Sequence, residues 1–389
     1  MTTRSAPAAR PLSGFWAIRF VFMIEAIVIG AWLPRIPDIK IALQMDAGLL
    51  GIVLVGLPAG TLAGFLVAAR FAETFGLRRA CMIAGPAFAL TFIIPGLALS
   101  PASLFAALVV CGFVVALIEV AMNTKAGAME KTAGRRIMSQ CHGFWSIGSV
   151  VGASLGGLSA QAAIAPAWQF AILNPLFALA AFATAWIMPA DPPRSADNAP
   201  APFFALPGRA LVVLCLMPVG IMALEGAMMD WSAVFVREVL IGQPVEAAAA
   251  YAVFATSMAM TRLAGDRLAE RFGAANIVLV SCLSAALGAG LFAAAPDLSV
   301  ALVGSALAGF GVATVYPLAV SAAAAAPGKS AEANVAAVSF IAFSTFLAGP
   351  PVIGGLADLF DLRIALAILV PAALVSAALH GSVRVRTPD

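Results

Sequence analysis

The chain has 389 residues, 62% of them hydrophobic and only 11% charged, with a formal net charge of +3 and a mean hydropathy of +1.01. Soluble proteins carry about 25% charged residues, so this composition excludes a soluble globular domain and indicates a polytopic helical membrane protein. The apolar runs are continuous and not alternating, which disfavours a transmembrane barrel.

Taken in chain order, charges, prolines and polar turns predict twelve spans, at 14–34, 47–69, 80–99, 102–124, 137–159, 167–188, 210–236, 247–265, 274–294, 298–323, 333–356 and 363–383. Each is roughly 20 to 25 residues long, the length of a tilted membrane helix. The first holds Arg19 and Glu25 and lacks an A-x-A site, so it reads as a retained span and not as a cleaved signal. The fifth and sixth fall in a run of 54 residues, Ile137 to Ala190, without one Asp, Glu, Lys or Arg. At about 1.5 Å per residue that run holds two crossings and a turn. Residues 189–208 then carry six prolines and three charges, which no membrane helix can continue through. The expected layout is a tail at 1–13, a six-helix bundle at 14–188, a linker at 189–208, a second six-helix bundle at 209–383 and a tail at 384–389.

Lys and Arg set the orientation. Seventeen of the 22 fall on the side of the termini and the linker, four (Arg35, Lys40, Arg237 and Arg363) on the other, and Arg19 within a span. The positive-inside rule makes the richer side cytoplasmic. A multi-pass protein of a bacterial inner membrane, with both termini in the cytoplasm, is expected. The five cysteines stand singly in apolar segments and only two histidines occur, so no cofactor or metal is expected. No G-x-x-x-x-G-K-[ST] motif is present, so gradients and not ATP would supply energy.

The two halves repeat at an offset of 197 residues. Ala72-Glu73-Thr74-Phe75-Gly76 follows the second span and Ala269-Glu270-Arg271-Phe272-Gly273 the eighth. At the same offset Gly112-Phe113 falls on Gly309-Phe310, and Gly152 on Gly349. A parallel duplication of six-helix units places a solute site between the halves near mid-membrane. The loop after the second span, Ala69-Arg70-Phe71-Ala72-Glu73-Thr74-Phe75-Gly76-Leu77-Arg78-Arg79, resembles the G-x-x-x-D-R-x-G-R-R signature of the major facilitator superfamily, with Glu for Asp and Ala for the first Gly. Trp32-Leu33-Pro34-Arg35-Ile36-Pro37, His142-Gly143-Phe144-Trp145-Ser146-Ile147-Gly148 and the Glu225-Gly226-Ala227…Asp230-Trp231-Ser232 stretch are similar to the bacterial branch around the YbjJ and MosC membrane proteins. Glu119-Val120-Ala121-Met122-Asn123 is similar to the E-x-A-x-N of the fourth helix of fucose permeases. The resemblance implies an all-α fold of twelve helices in two pseudo-symmetric bundles, alternating access, and a proton-coupling role for the acid at 119. Through its branch it adds an amino-cyclitol to the solute classes.

Acids surviving in apolar spans are expensive and mark function. Five charges are read as lying inside spans, Arg19, Glu25, Glu119, Glu225 and Asp230, with Arg262 and Arg363 counted with the flanking sides. Arg19, Glu119 and His142 lie at similar depth on helices one, four and five, and Asn123 shares a helix face with Glu119. They predict a proton-coupling cluster of Arg19, Glu119, His142 and Asn123, since a carboxylate between apolar surroundings and a cation can be balanced between its two protonation states. The structural alternative is a fixed Arg19–Glu119 pair, or Arg19 snorkelling to the interface. Glu25 and Glu225 are expected to face each other across the central cavity, or to hydrogen-bond between helices. Asp230 either contacts ligand or serves the outer helix end. Acids without a nearby intramembrane cation favour a cationic or hydroxyl-rich solute over an anion. Tyr316, at the position of Glu119 in the repeat, could hydrogen-bond such a solute, and Trp32, Trp145 and Trp231 could stack against sugar rings. Glu73 and Glu270, with Arg78, Arg79 and Arg271, are read as charge pairs of gating loops.

The leading function is proton-coupled symport of a small sugar, polyol or amino-cyclitol by a monomer, with solute, protons and the bilayer as partners and no nucleic acid. Proton-coupled efflux of amphipathic compounds is the rival, and a membrane receptor or assembly factor is the alternative from another class. An enzyme is disfavoured because no metal-ligand cluster occurs and the loops are too short for a catalytic domain.

Overall fold

The structure, a computed structural model, describes residues 11–133, 137–191, 211–326 and 331–384. The N-terminal tail through residue 10, linker residues 192–208 and tail residues 385–389 lie outside the described residues. In chain order the helical segments are α1 (Gly14–Ala42), α2 (Ala47–Phe75), α3 (Leu77–Leu97), α4 (Pro101–Thr132), α5 (Met138–Gln161), α6 (Pro166–Ile187), α7 (Val212–Glu238), α8 (Pro244–Phe272), α9 (Ala274–Ala294), α10 (Leu298–Ala324), α11 (Ala337–Leu359) and α12 (Leu362–Ala378). Among the described residues, nine of these are long and apolar enough to cross a membrane unaided. The others are α5 and α8, which carry more polar residues, and α12, which is shorter. The fold is the expected all-α, twelve-helix architecture.

Several helices outrun the expected spans. α2 reaches Phe75, α4 Thr132 and α8 Phe272. Charged residues end an apolar run but not a helix, because Ala, Glu, Lys and Arg are all good helix formers. Prolines mark the internal breaks. Pro58 leaves the Leu54 carbonyl without its usual donor, and the helix of α2 is interrupted at Val55. Pro317 does the same to Ala313, and α10 is interrupted at Ala313 and Thr314.

Glycines permit the tightest contacts. A Cβ at Gly148, Gly152 or Gly156 of α5 would meet the carbonyls of Met23, Ile27 or Ala31 of α1 at 2.2, 2.2 and 2.7 Å. Such four-residue ladders let two backbones touch along several turns. The duplication is visible in the same contacts. A Cβ on Gly112 would lie 1.9 Å from the Leu57 carbonyl, and one on Gly309 would lie 2.2 Å from that of Phe254, the position 197 residues on. Gly76 and Gly273, again one repeat apart, both turn the chain at positive φ (78° and 85°). Gly349 departs from the pattern, because nothing lies within 4 Å of its Cβ position, whereas Gly152 is clasped.

The halves meet most closely at the end of the bundle where α2 and α8 begin. There a Cβ on Gly354 (α11) would touch the Ala47 carbonyl at 2.4 Å, and one on Gly157 (α5) would touch the Ala248 Cβ at 2.3 Å. Gly157 and Gly354 are one repeat apart, so the closure is pseudo-symmetric. Two polar contacts reinforce it. Lys40 bridges to Glu238 at 2.6 Å, and Asp358 accepts backbone N–H bonds from Ala47 and Gly48. Arg35 pins the same end of α1 to α6, donating to Asp38, to the Ile164 carbonyl and to the Gln169 side chain.

Candidate solute-binding chamber

Between the halves runs a chamber in two lobes, of about 400 and 590 Å³. Both are lined by His142 of α5, Arg262 of α8 and the Phe343 and Phe346 pair of α11. The smaller lobe reaches toward the closed end, against Leu54, Leu57 and Leu108, and holds Glu119, Asp230, Trp32 and Trp145. The larger lobe holds Glu225 and Tyr316.

Glu119 and Asn123, one turn apart on α4, share a hydrogen bond of 2.7 Å from the amide to the carboxylate. Arg19 is not their partner. Its guanidinium donates to the Gln140 side chain and lies over the Trp16 ring, 4.9 Å from the centroid. The expected Arg19–Glu119 contact is therefore corrected. Six residues separate Arg19 from Glu25, which turns the two about 120° apart on α1, so they face different neighbours. His142 lines the chamber edge-on to Phe22, with ring centroids 5.4 Å apart.

Glu25 does not face Glu225 across open space. It is 2% exposed and accepts a hydrogen bond from the Trp145 indole, while its other carboxylate oxygen is buried without a partner. Trp145 thus stands between this buried acid and the chamber.

Glu225 instead pairs with Arg262 at 3.3 Å. The Arg262 Nε also donates to the Ala313 carbonyl at 3.4 Å, the acceptor that Pro317 leaves without a backbone donor. The expectation of a chamber free of cations is corrected here. Arg262 was counted with the cytoplasmic charges, yet α8 continues roughly three turns beyond it.

Tyr316 bonds Ser339 at 2.8 Å and meets Phe343 edge-on, joining α10 to α11 at the chamber wall. Trp231 is fully buried with its indole nitrogen unpartnered, away from the chamber lining, so it offers no stacking surface. Asp230 lines the smaller lobe and has no hydrogen-bond or ion-pair partner among the described residues. The other tyrosine, Tyr251 of α8, escaped the sequence reading. It is 1% exposed, and its phenol meets Ser149 of α5.

The loop residues lie far from the chamber lining. Arg78 gives its backbone N–H to Asp191 and its guanidinium to the Trp186 carbonyl, and Arg271 lies over Phe272. Glu73, Arg79 and Glu270 are exposed. Asp191 also takes the ammonium of Lys125, a buried lysine, at 2.7 Å, which fixes the start of the linker against α4.

Two repeated helical bundles closing at one end around a chamber with ionisable groups in its wall define the fold of a membrane transporter. The chain belongs to the Major Facilitator Superfamily, whose family model matches residues 15–346 and 243–389. It is 31% identical over 353 residues to an uncharacterized MFS-type transporter of Yersinia pestis, covering 89% of this chain and 90% of that one. It is 27% identical over 363 residues to membrane protein MosC of Rhizobium meliloti, covering 93% and 88%. A point variant of the nucleoside transporter NupG superposes with a TM-score of 0.79 at 14% identity, over 95% of this chain and 99% of that one. That likeness shows the shared fold.

Proposed function

We propose that the protein is a proton-coupled symporter of a small hydroxylated or amino-bearing solute, working by alternating access as a monomer in a bacterial inner membrane. The observation that carries this reading is Glu119 on the chamber wall, hydrogen-bonded to Asn123, with a second acid, Glu25, buried behind Trp145. A carboxylate that meets the chamber while surrounded by apolar helices can take up a proton with the solute and lose it on the other side. The positive-inside bias assigns the closed end to the periplasm. The structure then corresponds to an inward-open state, with Lys40–Glu238 and Asp358 holding the outer closure. The bundles 14–188 and 209–383 are the bodies that rock, and 189–208 is their cytoplasmic linker.

The lining supports this solute class. Carboxylates, a phenol and aromatic faces recognise hydroxyl groups and ring faces, and the one arginine lining the chamber among the described residues is paired with Glu225. Anionic solutes are disfavoured accordingly. The stacked Phe343 and Phe346 rings also suit the second reading, proton-coupled efflux of amphipathic compounds.

Proteoliposomes loaded at one pH and diluted into another test the assignment with a panel of sugars, cyclitols and amino-sugars. Inward pH-driven accumulation of a panel member is expected. Glu119→Gln should abolish accumulation while retaining exchange of the same solute down its own gradient. Accumulation by the variant equal to that of the parent protein would refute the role of Glu119.

A further inference from the structure

The ionisable side chains lining the smaller lobe are Glu119, His142, Asp230 and Arg262. Arg262 is committed to Glu225 and to the Ala313 carbonyl, and Glu119 to Asn123. Asp230 alone among the acids of this lobe has no partner among the described residues, although most of the lining is apolar, with Leu54, Leu57, Leu108, Met229 and Phe346 among it. A carboxylate facing apolar walls without a hydrogen-bond donor is costly. Its position is also informative. Gly226, Met229 and Asp230 fall on one face of α7, and a Cβ at Gly226 would meet the Phe346 ring at 2.9 Å. The missing side chain at 226 therefore lets the Phe346 ring of α11 pack against α7 beside Asp230, at the wall of the lobe.

The geometry points to Asp230 as the recognition site for a protonated amine of the transported solute, at the deep end of the chamber. This rests on the transport reading above and narrows it. The ammonium docks on the Asp230 carboxylate near the Trp32 and Trp145 rings of the same lobe, whose faces attract cations. Asp230 and Glu225 stand five residues apart on α7, about 7.5 Å along the helix axis. A ligand held at Asp230 shares its lobe with Glu119 and with Arg262, which also lines the lobe of Glu225. A lobe of about 400 Å³ accommodates a single ring of monosaccharide size.

Matched pairs test this on the purified full-length protein, by thermal shift and calorimetry at constant ionic strength. The probes are glucosamine against glucose, galactosamine against galactose, and cyclohexylamine against cyclohexanol. In at least one pair the amine should bind more tightly than its neutral twin. Asp230→Asn should weaken the amine about ten- to a hundred-fold, the range for a charge-assisted hydrogen bond in a dry site, while leaving the neutral twin unchanged. Asp230→Glu should keep the amine preference, which separates lost charge from lost folding. Equal responses within every pair, including no response to any probe, would overturn the amine site, as would a preference that persists in Asp230→Asn. Failure of the transport reading looks different, because amine binding would then survive without pH-driven uptake of any solute. Uptake of neutral sugars without an amine preference would remove the Asp230 assignment alone.

Discussion

Asp358, at the end of α11, accepts the backbone N–H of Gly48 at the start of α2, at 2.8 Å, so a carboxylate of one half caps a helix of the other. Its second oxygen takes Ala47 N–H at 3.1 Å, while Asp46 caps the same helix from within its own half by accepting from Leu49. Helix N-termini present unpaired N–H groups and favour negative charge. The repeat-related contact lacks this device, since Gln161 stands where Asp358 would and Pro244 has no N–H to give. The latch is therefore one-sided. Asp358→Ala should weaken the outer closure by about 1 kcal/mol, roughly a fivefold shift toward the open form, typical of a lost cap. Labelling of a cysteine introduced at Leu57 by an outside-added reagent should speed up accordingly, and an unchanged rate would remove Asp358 from the gate.

Arg262 joins Glu225 of α7 to the interrupted segment of α10. A planar guanidinium serves both acceptors at once, and an ammonium cannot copy that fork. Arg262→Lys is expected to lower solute uptake by about tenfold or more, the cost of breaking a partly buried charged hydrogen bond. Arg262→Gln combined with Glu225→Gln should recover thermal stability relative to Arg262→Gln alone, because no uncompensated charge remains. Equal melting temperatures of the single and double variants would show that the pair carries no structural load.

Trp145 is the hydrogen-bond donor to Glu25. Trp145→Phe keeps an aromatic face on the chamber but leaves the buried acid with no donor, a loss of about 1–3 kcal/mol. A lowered melting temperature, restored when Glu25→Gln is added, is the expected result in detergent. Full stability of Trp145→Phe by itself would mean that Glu25 is satisfied another way.

The duplicated contacts make paired predictions. Gly112→Ala and Gly309→Ala each force a methyl against a backbone carbonyl, at positions 1.9 and 2.2 Å away, so both should destabilise strongly and to a similar degree. Gly349→Ala meets nothing within 4 Å and should be neutral or slightly stabilising. Melting curves of the three variants check this, and a destabilised Gly349→Ala would contradict the packing of α11.

The helical architecture was legible because bilayer crossing imposes long apolar runs, and the repeat because Gly112 and Gly309, like Gly76 and Gly273, sit where only glycine fits. The chamber was harder to read. Depth along a helix can be counted from sequence, which brought Glu119 and His142 to one lobe. Azimuth cannot be counted without knowing how each helix is rotated against its neighbours, and that separated Arg19 from Glu119 and sealed Trp231 away from solute. Arg262 was misplaced for a third reason: its position was judged by the nearest loop charges, whereas the helix carries it well inside the bundle. Tyr251 gave no signal at all, standing in an alanine-rich run whose contact with Ser149 exists only once the halves are packed.

The most direct test of alternating access is the distance between spin labels placed at Leu49 of α2 and Leu359 of α11, both exposed at the closed end. In reconstituted protein, two distance populations are expected, a short one matching this structure and a longer one whose share changes with pH and grows in Asp358→Ala. A single short distance that stays fixed under every pH, solute and variant would contradict a chamber that opens to both sides.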